Sequence, residues 1–181
     1  MPKLIKTALL LSLIALVSAC ASPARIAGMT ASPQSSLDPN QTHLKESIRI
    51  TQVSGGQETN PMWTSQVDAV SFRQALEQSL RQAGLLGNAE LANHYLSAEL
   101  IDLDQPLIGA SLTVTARVRY ELIDGDTDQV VYQELISQPY TAQFSDAFIG
   151  TERLKLANEG AIRNNIEALI EDLYQLKPSL Q

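Results

Sequence analysis

The sequence predicts an α+β domain, a two-layer sandwich in which a four-stranded, mainly antiparallel sheet is covered by two helices in the order βαβββα. Apolar and polar residues alternate without a break over residues 112–122, which is the pattern of a half-buried strand. Two other segments repeat apolar residues at three- and four-residue spacing, as amphipathic helices do. Because two such helices cannot bury their stripes alone, a sheet with one apolar face is the expected partner.

The first strand and the first helix are predicted in the first half of the domain. Alternation over residues 48–53 predicts the strand, and Gly55-Gly56 ends it. Ser71 and Gln74 have the spacing of a capping box, which predicts a helix beginning at Ser71. Gly84 supplies the C-terminal stop of that helix. Its apolar stripe contains Phe72, Leu76, Leu80 and Ala83.

Three further strands are predicted over residues 96–100, 112–122 and 130–136. Asp124-Gly125-Asp126 is a turn signal between the last two, so these two strands should form a hairpin. Pro139 indicates that the last strand ends, bulges or lies at a sheet edge near that residue. The first two strands are joined through a helix, so they are either parallel neighbours or separated by a later strand.

A long helix is predicted from residue 148 or 151 to residue 176. Gly160 inside it indicates close packing against the sheet or a bend. The apolar stripe comprises Leu154, Ala157, Ala161, Ile162, Ile166, Leu169, Ile170 and Leu173. The charged residues Glu152, Arg153, Glu159 and Arg163 are expected to be ordinary surface charges.

Residues 1–19 have the features of a secretory signal, with Lys3 and Lys6 before an uncharged apolar run that is too short to span a bilayer. Residues 16–20 resemble a bacterial lipobox, and Cys20 is the one cysteine of the chain. The resemblance implies cleavage before Cys20 and covalent attachment of diacylglycerol and an N-acyl chain to it. The alternative is ordinary secretion, which would leave an exported thiol without a disulfide partner.

Residues 20–44 lack apolar periodicity and contain several Ser-Pro and Asp-Pro steps, so they are expected to form the lipidated cysteine and a flexible tether. Ile26, Met29 and Leu37 leave open a segment that becomes ordered on a partner. The single globular domain is then expected over residues 45–181.

Charge restricts the partners. Removing residues 1–19 takes away two lysines, which leaves 11 basic and 20 acidic residues and a net charge of −9. Such a protein offers no cationic field for nucleic acid and is not attracted to anionic head groups. Membrane attachment should therefore come from the lipid, since several acyl chains bind stably without a basic patch.

Catalytic and metal-binding patterns are absent from the sequence, which predicts a non-enzyme without metal or non-covalent cofactor. There is no nucleophile elbow, P-loop or zinc motif, and His43 and His94 are the only histidines. The carboxylates of Asp124, Asp126 and Asp128 resemble part of a calcium loop. A calcium loop has glycine at the sixth position and glutamate at the twelfth, where this chain has Gln129 and Leu135. A solvated hairpin tip is therefore expected.

The run from Glu152 to Arg163 resembles one found in short, uncharacterised lipoproteins of Gram-negative bacteria. The lipobox and the element order are also similar to small envelope lipoproteins. These include the plug of the lipopolysaccharide translocon, auxiliary lipoproteins of lipid transport and the curli-secretion type. In that setting Ala21 and Ser22, with no aspartate after the cysteine, resemble the sorting pattern for the outer membrane, facing the periplasm.

Two functions are consistent with these features. One is an anchored, non-catalytic interaction module of a cell-envelope complex, with a protein partner bound by a sheet edge, the long helix or the loop carrying Trp63. The other is a carrier or sensor of a hydrophobic ligand such as lipid, held between helices and sheet. The carrier requires a cavity there, lined by Leu112, Val114, Val118, Phe72 and Ile166.

Overall fold

The computed structural model describes residues 21–32, 37–60, 64–88, 90, 92–106 and 108–177. The predicted signal segment (residues 1–19), Cys20 and Trp63 lie outside these ranges. The elements in chain order are helix α1 (Ile26–Met29), a 3₁₀ turn (Pro39–Gln41), strand β1 (Ile48–Gly55), helix α2 (Ala69–Gln82), strands β2 (His94–Asp104), β3 (Leu112–Asp124) and β4 (Gln129–Ala142), and helix α3 (Gly150–Gln175). The predicted α+β class and the order βαβββα of the main elements are confirmed.

The four strands form one sheet in the order β1-β2-β3-β4. β2, β3 and β4 are antiparallel neighbours, and β1 pairs in parallel with β2 from Ile48↔His94 to Gly55↔Leu100. Of the two arrangements that the sequence left open for the first two strands, the structure has parallel neighbours connected through α2. A parallel pair needs such a crossover, because a tight turn can only reverse the chain.

The core lies between the sheet and the two long helices. Val118 and Tyr120 of β3 are fully buried, together with Phe72 of α2 and Ile166 of α3. The Tyr120 hydroxyl donates a hydrogen bond to Asn165 Oδ1 (2.9 Å), so the buried phenol has a polar partner. The opposite face of the sheet is wet and carries the ion pairs Arg117–Asp102 and Arg119–Glu99.

The start of α2 differs from the prediction. The N-cap is Asp68, whose Oδ1 accepts a hydrogen bond from the Ser71 backbone N–H (2.8 Å) and whose Oδ2 accepts one from Ser71 Oγ (2.7 Å). The predicted capping box at Ser71 is therefore wrong, and α2 begins at Ala69. Asp-x-x-Ser and Ser-x-x-Gln overlap in this stretch, and aspartate serves as a cap at least as well as serine. Gly84, with φ of 67°, ends the helix as predicted.

β4 continues through Pro139, which pairs with Thr115, so the strand neither ends nor loses its register there. It is the edge strand, which is where a residue without an N–H is tolerated. Asn164 of α3 donates its side-chain N–H to the Pro139 carbonyl (3.0 Å). Gly160 also packs against β4, because a Cβ at this position would overlap the ring of Tyr140. Close packing is thus the reason for this glycine.

The expected flexible tether is wrong for the described residues of that segment. Met29, Ala31 and Leu44 are fully buried, and α1 contacts both α2 and α3. The Ala31 backbone N–H donates to Ser79 Oγ of α2 (2.9 Å). The folded domain therefore includes residues 21–32 and 37–44 and does not begin at residue 45. α1 is only one turn long, which is too short for its periodicity to be recognised in the sequence.

Candidate interaction site

Glu159 of α3 anchors the segment that follows the predicted lipidation site. Its side chain is 3% exposed, so the expectation of an ordinary surface charge is wrong. Oε1 accepts from the backbone N–H (2.8 Å) and Nε (3.0 Å) of Arg25, and Oε2 accepts from Arg25 Nη2 (2.8 Å). The hydrogen bond and the charge of Glu159 raise the pKa of Arg25. A buried carboxylate needs such a partner, because its desolvation is otherwise costly.

Residues 21–32, which we call the N-terminal clasp, make further contacts with α3. Gly28 faces the Glu159 carboxylate so closely that a Cβ at this position would overlap it. Arg163 Nη1 donates to the Gly28 carbonyl (2.9 Å). Arg163 therefore also binds the clasp rather than serving only as a surface charge.

The first residues of the clasp are fixed as well. The Ser22 carbonyl accepts from Ser65 Oγ (2.8 Å), and Ser22 Oγ lies 3.2 Å from Nζ of the buried Lys155. The Ala24 backbone N–H donates to the Gln66 carbonyl (3.3 Å). Ala21 is 6% exposed. The chain is thus seated in the fold from the residue directly after Cys20.

These contacts place Ala21 at one particular end of the molecule. The C-terminal ends of β1, β2 and β4 and the start of β3 lie at the same end of the sheet, as the pairings Gly55↔Leu100, Asp104↔Thr115 and Leu112↔Ala142 show. α2 and α3 both begin there, at Ala69 and Gly150. We call this the helix-start end. Ser65 and Gln66, which bind the first residues of the clasp, lie shortly before α2.

The helix-start end exposes large apolar side chains. Ile108 is 90% exposed and Phe148 is 78% exposed. Phe144 and Phe148 pack edge to face, with their ring centroids 5.4 Å apart. The other large exposed apolar residues at this end are Val70 and Ile149. These five account for most of the large exposed apolar side chains in the described residues.

Arg153 holds the loops that present these side chains. It is buried, so here too the expected surface charge is wrong. Its Nη1 donates to the Ala147 carbonyl (2.6 Å) and its Nη2 to the Gly109 carbonyl (3.2 Å), while the guanidinium lies 5.2 Å from the centroid of Phe144. One buried cation therefore joins the β2–β3 loop to the loop before α3. The exposed aromatic rings are held in place by this network.

Cavities also open at this end. One of about 340 Å³ lies between Pro106, Ile108 and Leu154, and one of about 560 Å³ is lined by Ala21, Pro23, residues 55–59 and residues 68–70. Of the residues expected to line a lipid cavity, Phe72, Val114, Val118 and Ile166 are fully buried and contribute to neither. Leu112 does border the smaller one.

The histidines do not form a catalytic arrangement. His94 Nδ1 lies 3.2 Å from Ser47 Oγ and 2.8 Å from Asn93 Oδ1, so the serine and the amide approach the same ring nitrogen. A serine nucleophile and its orienting group must instead use opposite nitrogens of the imidazole. Burial lowers the pKa of His94. His43 lies beside it, with the ring centroids 6.3 Å apart.

The aspartates of the β3–β4 turn stabilise the turn itself. Asp124 Oδ1 accepts from the backbone N–H groups of Asp126 (2.9 Å) and Thr127 (3.0 Å). These hydrogen bonds lower the pKa of Asp124. Within the described ranges, no three histidine, cysteine, aspartate or glutamate side chains are grouped so that they could hold a metal ion.

Cys20 and Trp63, the two site residues predicted from sequence, lie outside the described residues, so both remain predictions. Sequence reasoning missed the pairing of Arg25 with Glu159. The available signal was a pair of glycines. The clasp approaches α3 closely at Gly28, and β4 approaches it closely at Gly160. Neither glycine by itself identifies which charged residue is buried.

No protein-family model and no curated protein matches this chain. Solved structures do match. A Xanthomonas campestris protein of the family DUF330 superposes with a TM-score of 0.59 at 9% identity, covering 81% of this chain and 91% of that one. A candidate lipoprotein of Caulobacter crescentus gives 0.50 at 14% identity, covering 78% and 98%. The hypothetical protein CT253 of Chlamydia trachomatis gives 0.52 at 11% identity, covering 73% and 97%. These three proteins share the fold of this chain.

At such low sequence identity, the similarity shows a shared fold and nothing about function. The fold occurs among proteins of Gram-negative bacteria that include a candidate lipoprotein, which agrees with the coarse resemblance seen in the sequence. In the described part of the chain, no helix has a stretch long and apolar enough to span a bilayer.

Proposed function

We propose that this protein is a lipoprotein of the Gram-negative envelope, anchored through acylated Cys20 in the outer membrane and facing the periplasm. It acts as a non-catalytic interaction module of an envelope complex and uses no cofactor besides the covalent lipid. The observation that carries the proposal is the N-terminal clasp. A domain whose first residues after the lipidation site are bound to Glu159, Ser65 and Gln66 is held at a fixed place relative to its anchor.

The packed interior favours a module over a carrier. Four of the five side chains expected around a lipid cavity are fully buried between helices and sheet, and the cavities described above lie at the periphery. Short aliphatic side chains pack to the density of organic crystals in such a core. Binding of a protein partner then takes place on the surface.

The two edges of the sheet differ in their availability. At β1, Arg73 Nη2 donates to the Thr51 carbonyl (2.9 Å), and the Ile48 carbonyl accepts from the Gly87 N–H (2.9 Å). β4 forms the other edge. Side chains of α3 bind its carbonyls at Ile136 and Pro139, whereas the stretch before Ile136 exposes Val130 and Leu135. An exposed edge strand can bind a partner strand through its main chain. We therefore assign partner binding to β4.

The anchor is tested by Cys20→Ser. The full-length parent should yield a mature N-terminal peptide whose mass includes diacylglycerol and an N-acyl chain, and it should fractionate with membranes. The variant should appear in the soluble fraction or remain an unprocessed precursor, because serine provides no thioether for the lipid. A variant that is processed and membrane-bound like the parent would contradict lipidation at Cys20.

Partner binding is tested with a photo-crosslinking residue at Leu135 in intact envelopes. The matched control carries it at Gln52, an exposed position on β1 beside the carbonyls that Arg73 and Gly87 occupy. We expect one discrete crosslinked protein from position 135 and at least about tenfold less from position 52, since the stretch of β4 before Ile136 is the more accessible edge. Equal crosslinking from both positions, or none from 135, would refute the assignment to β4.

A further inference from the structure

We propose that the helix-start end is a membrane-contact surface, which rests on the bilayer holding the lipid of Cys20 and places Phe148 and Ile108 among the lipids. This inference rests on the proposed lipid anchor and adds the orientation of the domain. The chain offers no slack that would let the domain turn freely, because the N-terminal clasp is bound to the fold from Ala21 onward.

The short covalent link between Cys20 and Ala21 places the bilayer beside this end of the domain. Consecutive Cα atoms are about 3.8 Å apart, so a lipid on Cys20 attaches one residue away from the packed Ala21. Neighbouring strands lie about 4.8 Å apart, so the ends of the four strands together span roughly 15 Å. The loop containing Phe148, which follows β4, and the loop containing Ile108, which follows β2, therefore leave the sheet at the same end as the anchored residue.

The apolar side chains at this end suit an interface with lipid. Five large ones are exposed, namely Val70, Ile108, Phe144, Phe148 and Ile149, and they come from three separate loops or helix starts. Arg153 binds the carbonyls of Ala147 and Gly109, so two of these loops are fixed with their apolar residues outward. Exposed apolar groups that are concentrated at one end and held by a buried cation indicate a contact surface.

Charge indicates that apolar burial drives the contact. Glu58, Asp104 and Asp146 are exposed at the same end. Of the basic residues, Arg153 and Lys155 are buried, and the half-exposed Arg25 is neutralised by its ion pair with Glu159. Anionic lipids would be repelled rather than attracted. The occupant that fits this surface is therefore a neutral or zwitterionic bilayer, and the contact should be insensitive to salt because it involves no ion pairing with head groups.

The test measures lipid contact at single positions of the full-length, acylated protein. Phe148→Cys, Ile108→Cys and the control Thr127→Cys are each labelled with a fluorophore, since acylation blocks the native Cys20. Thr127 is exposed in the β3–β4 turn at the opposite end of the sheet. The proteins are reconstituted in phosphatidylcholine vesicles that contain nitroxide-bearing lipid. All three positions are exposed, so unchanged unfolding midpoints should confirm that each variant is folded.

We expect quenching at positions 148 and 108 to exceed that at 127 by at least about threefold, at both low and high salt, because apolar side chains of an anchored protein bury at the head-group boundary. Equal quenching at all three positions, in acylated protein that floats with the vesicles, would overturn the membrane-contact surface and leave the anchor intact. Protein that lacks the acyl mass and does not float would overturn the anchor and this inference together.

Discussion

A chain that begins at residue 45 should be less stable than one that begins at Ala21 by at least about 2 kcal/mol. Trimming removes Met29 and Leu44, both fully buried, and uncovers the surfaces of α2 and α3 that α1 contacts. Deleting a buried Met or Leu side chain typically costs about 2–5 kcal/mol. The conformational entropy regained by the released segment offsets part of that loss.

The buried ion pair contributes less to this difference than its geometry suggests. Once the N-terminal clasp is gone, water reaches Glu159, so the carboxylate does not remain desolvated without a partner. Arg25→Ala in the longer chain separates the two contributions. It keeps the backbone N–H donor to Glu159 but leaves a carboxylate that is 3% exposed without its charged partner, so we expect a loss of about 3 kcal/mol, more than the same pair contributes to the trimming difference.

Urea unfolding of the two chains measures the difference, with the slope m as a check that the transition remains two-state. The longer chain should also have the larger m, because it buries more surface. Stabilities equal within about 0.5 kcal/mol would show that the segment adds nothing to the fold and is a tether after all.

The sheet and the two long helices were predictable because each repeats its pattern many times. β3 alternates over residues 112–122, and one apolar face follows directly from a period of two. Its buried residues in the structure are those of the predicted face. In a long element, one residue that departs from the pattern does not hide the period. A one-turn helix such as α1 is too short to show a period at all.

The buried charges of α3 were not predictable from periodicity. An amphipathic pattern identifies the stripe that faces the sheet, but α1 covers a second side of α3 near Glu159. A helix covered on two sides buries residues that its own pattern assigns to solvent. Recognising this required the contact between residues 25 and 159, which are far apart in sequence and carry no local signal for each other.

The candidate site also has one part that the sequence predicts and one part that it does not. Cys20 is predicted by a local processing motif, whereas the apolar helix-start end is assembled from three distant parts of the chain. Ile108, Phe144 and Phe148 each look like a single loop residue in the sequence. Only the register of β2, β3 and β4 places their loops at one end.

Val118→Asp should destabilise the domain by at least about 4 kcal/mol, because it places a carboxylate in the dry centre of the sheet. Val118 is fully buried and pairs with Leu100 on one side and Ile136 on the other, both of which are apolar and buried. Most domains have only about 5–15 kcal/mol of stability, so the variant should be largely unfolded well below the parent's midpoint. Thr115→Asp, on the wet face of the same strand, should cost less than about 1 kcal/mol.

The pH dependence of the variant identifies the cause of this loss. Burial would raise the pKa of the new carboxyl above its unfolded value, so between these two values the folded state would bind a proton that the unfolded state lacks. The deficit relative to the parent would therefore shrink as the pH falls below the raised pKa toward the unfolded one. Val118→Asn has a similar shape and no titrating group, so its deficit should stay constant between about pH 7 and pH 5.

Chemical denaturation of the parent and all three variants at both pH values decides the matter. Equal, small losses for the residue 115 and 118 variants would mean that the buried face of β3 has been assigned to the wrong side. A pH-independent deficit for Val118→Asp would mean that the new carboxylate reaches water.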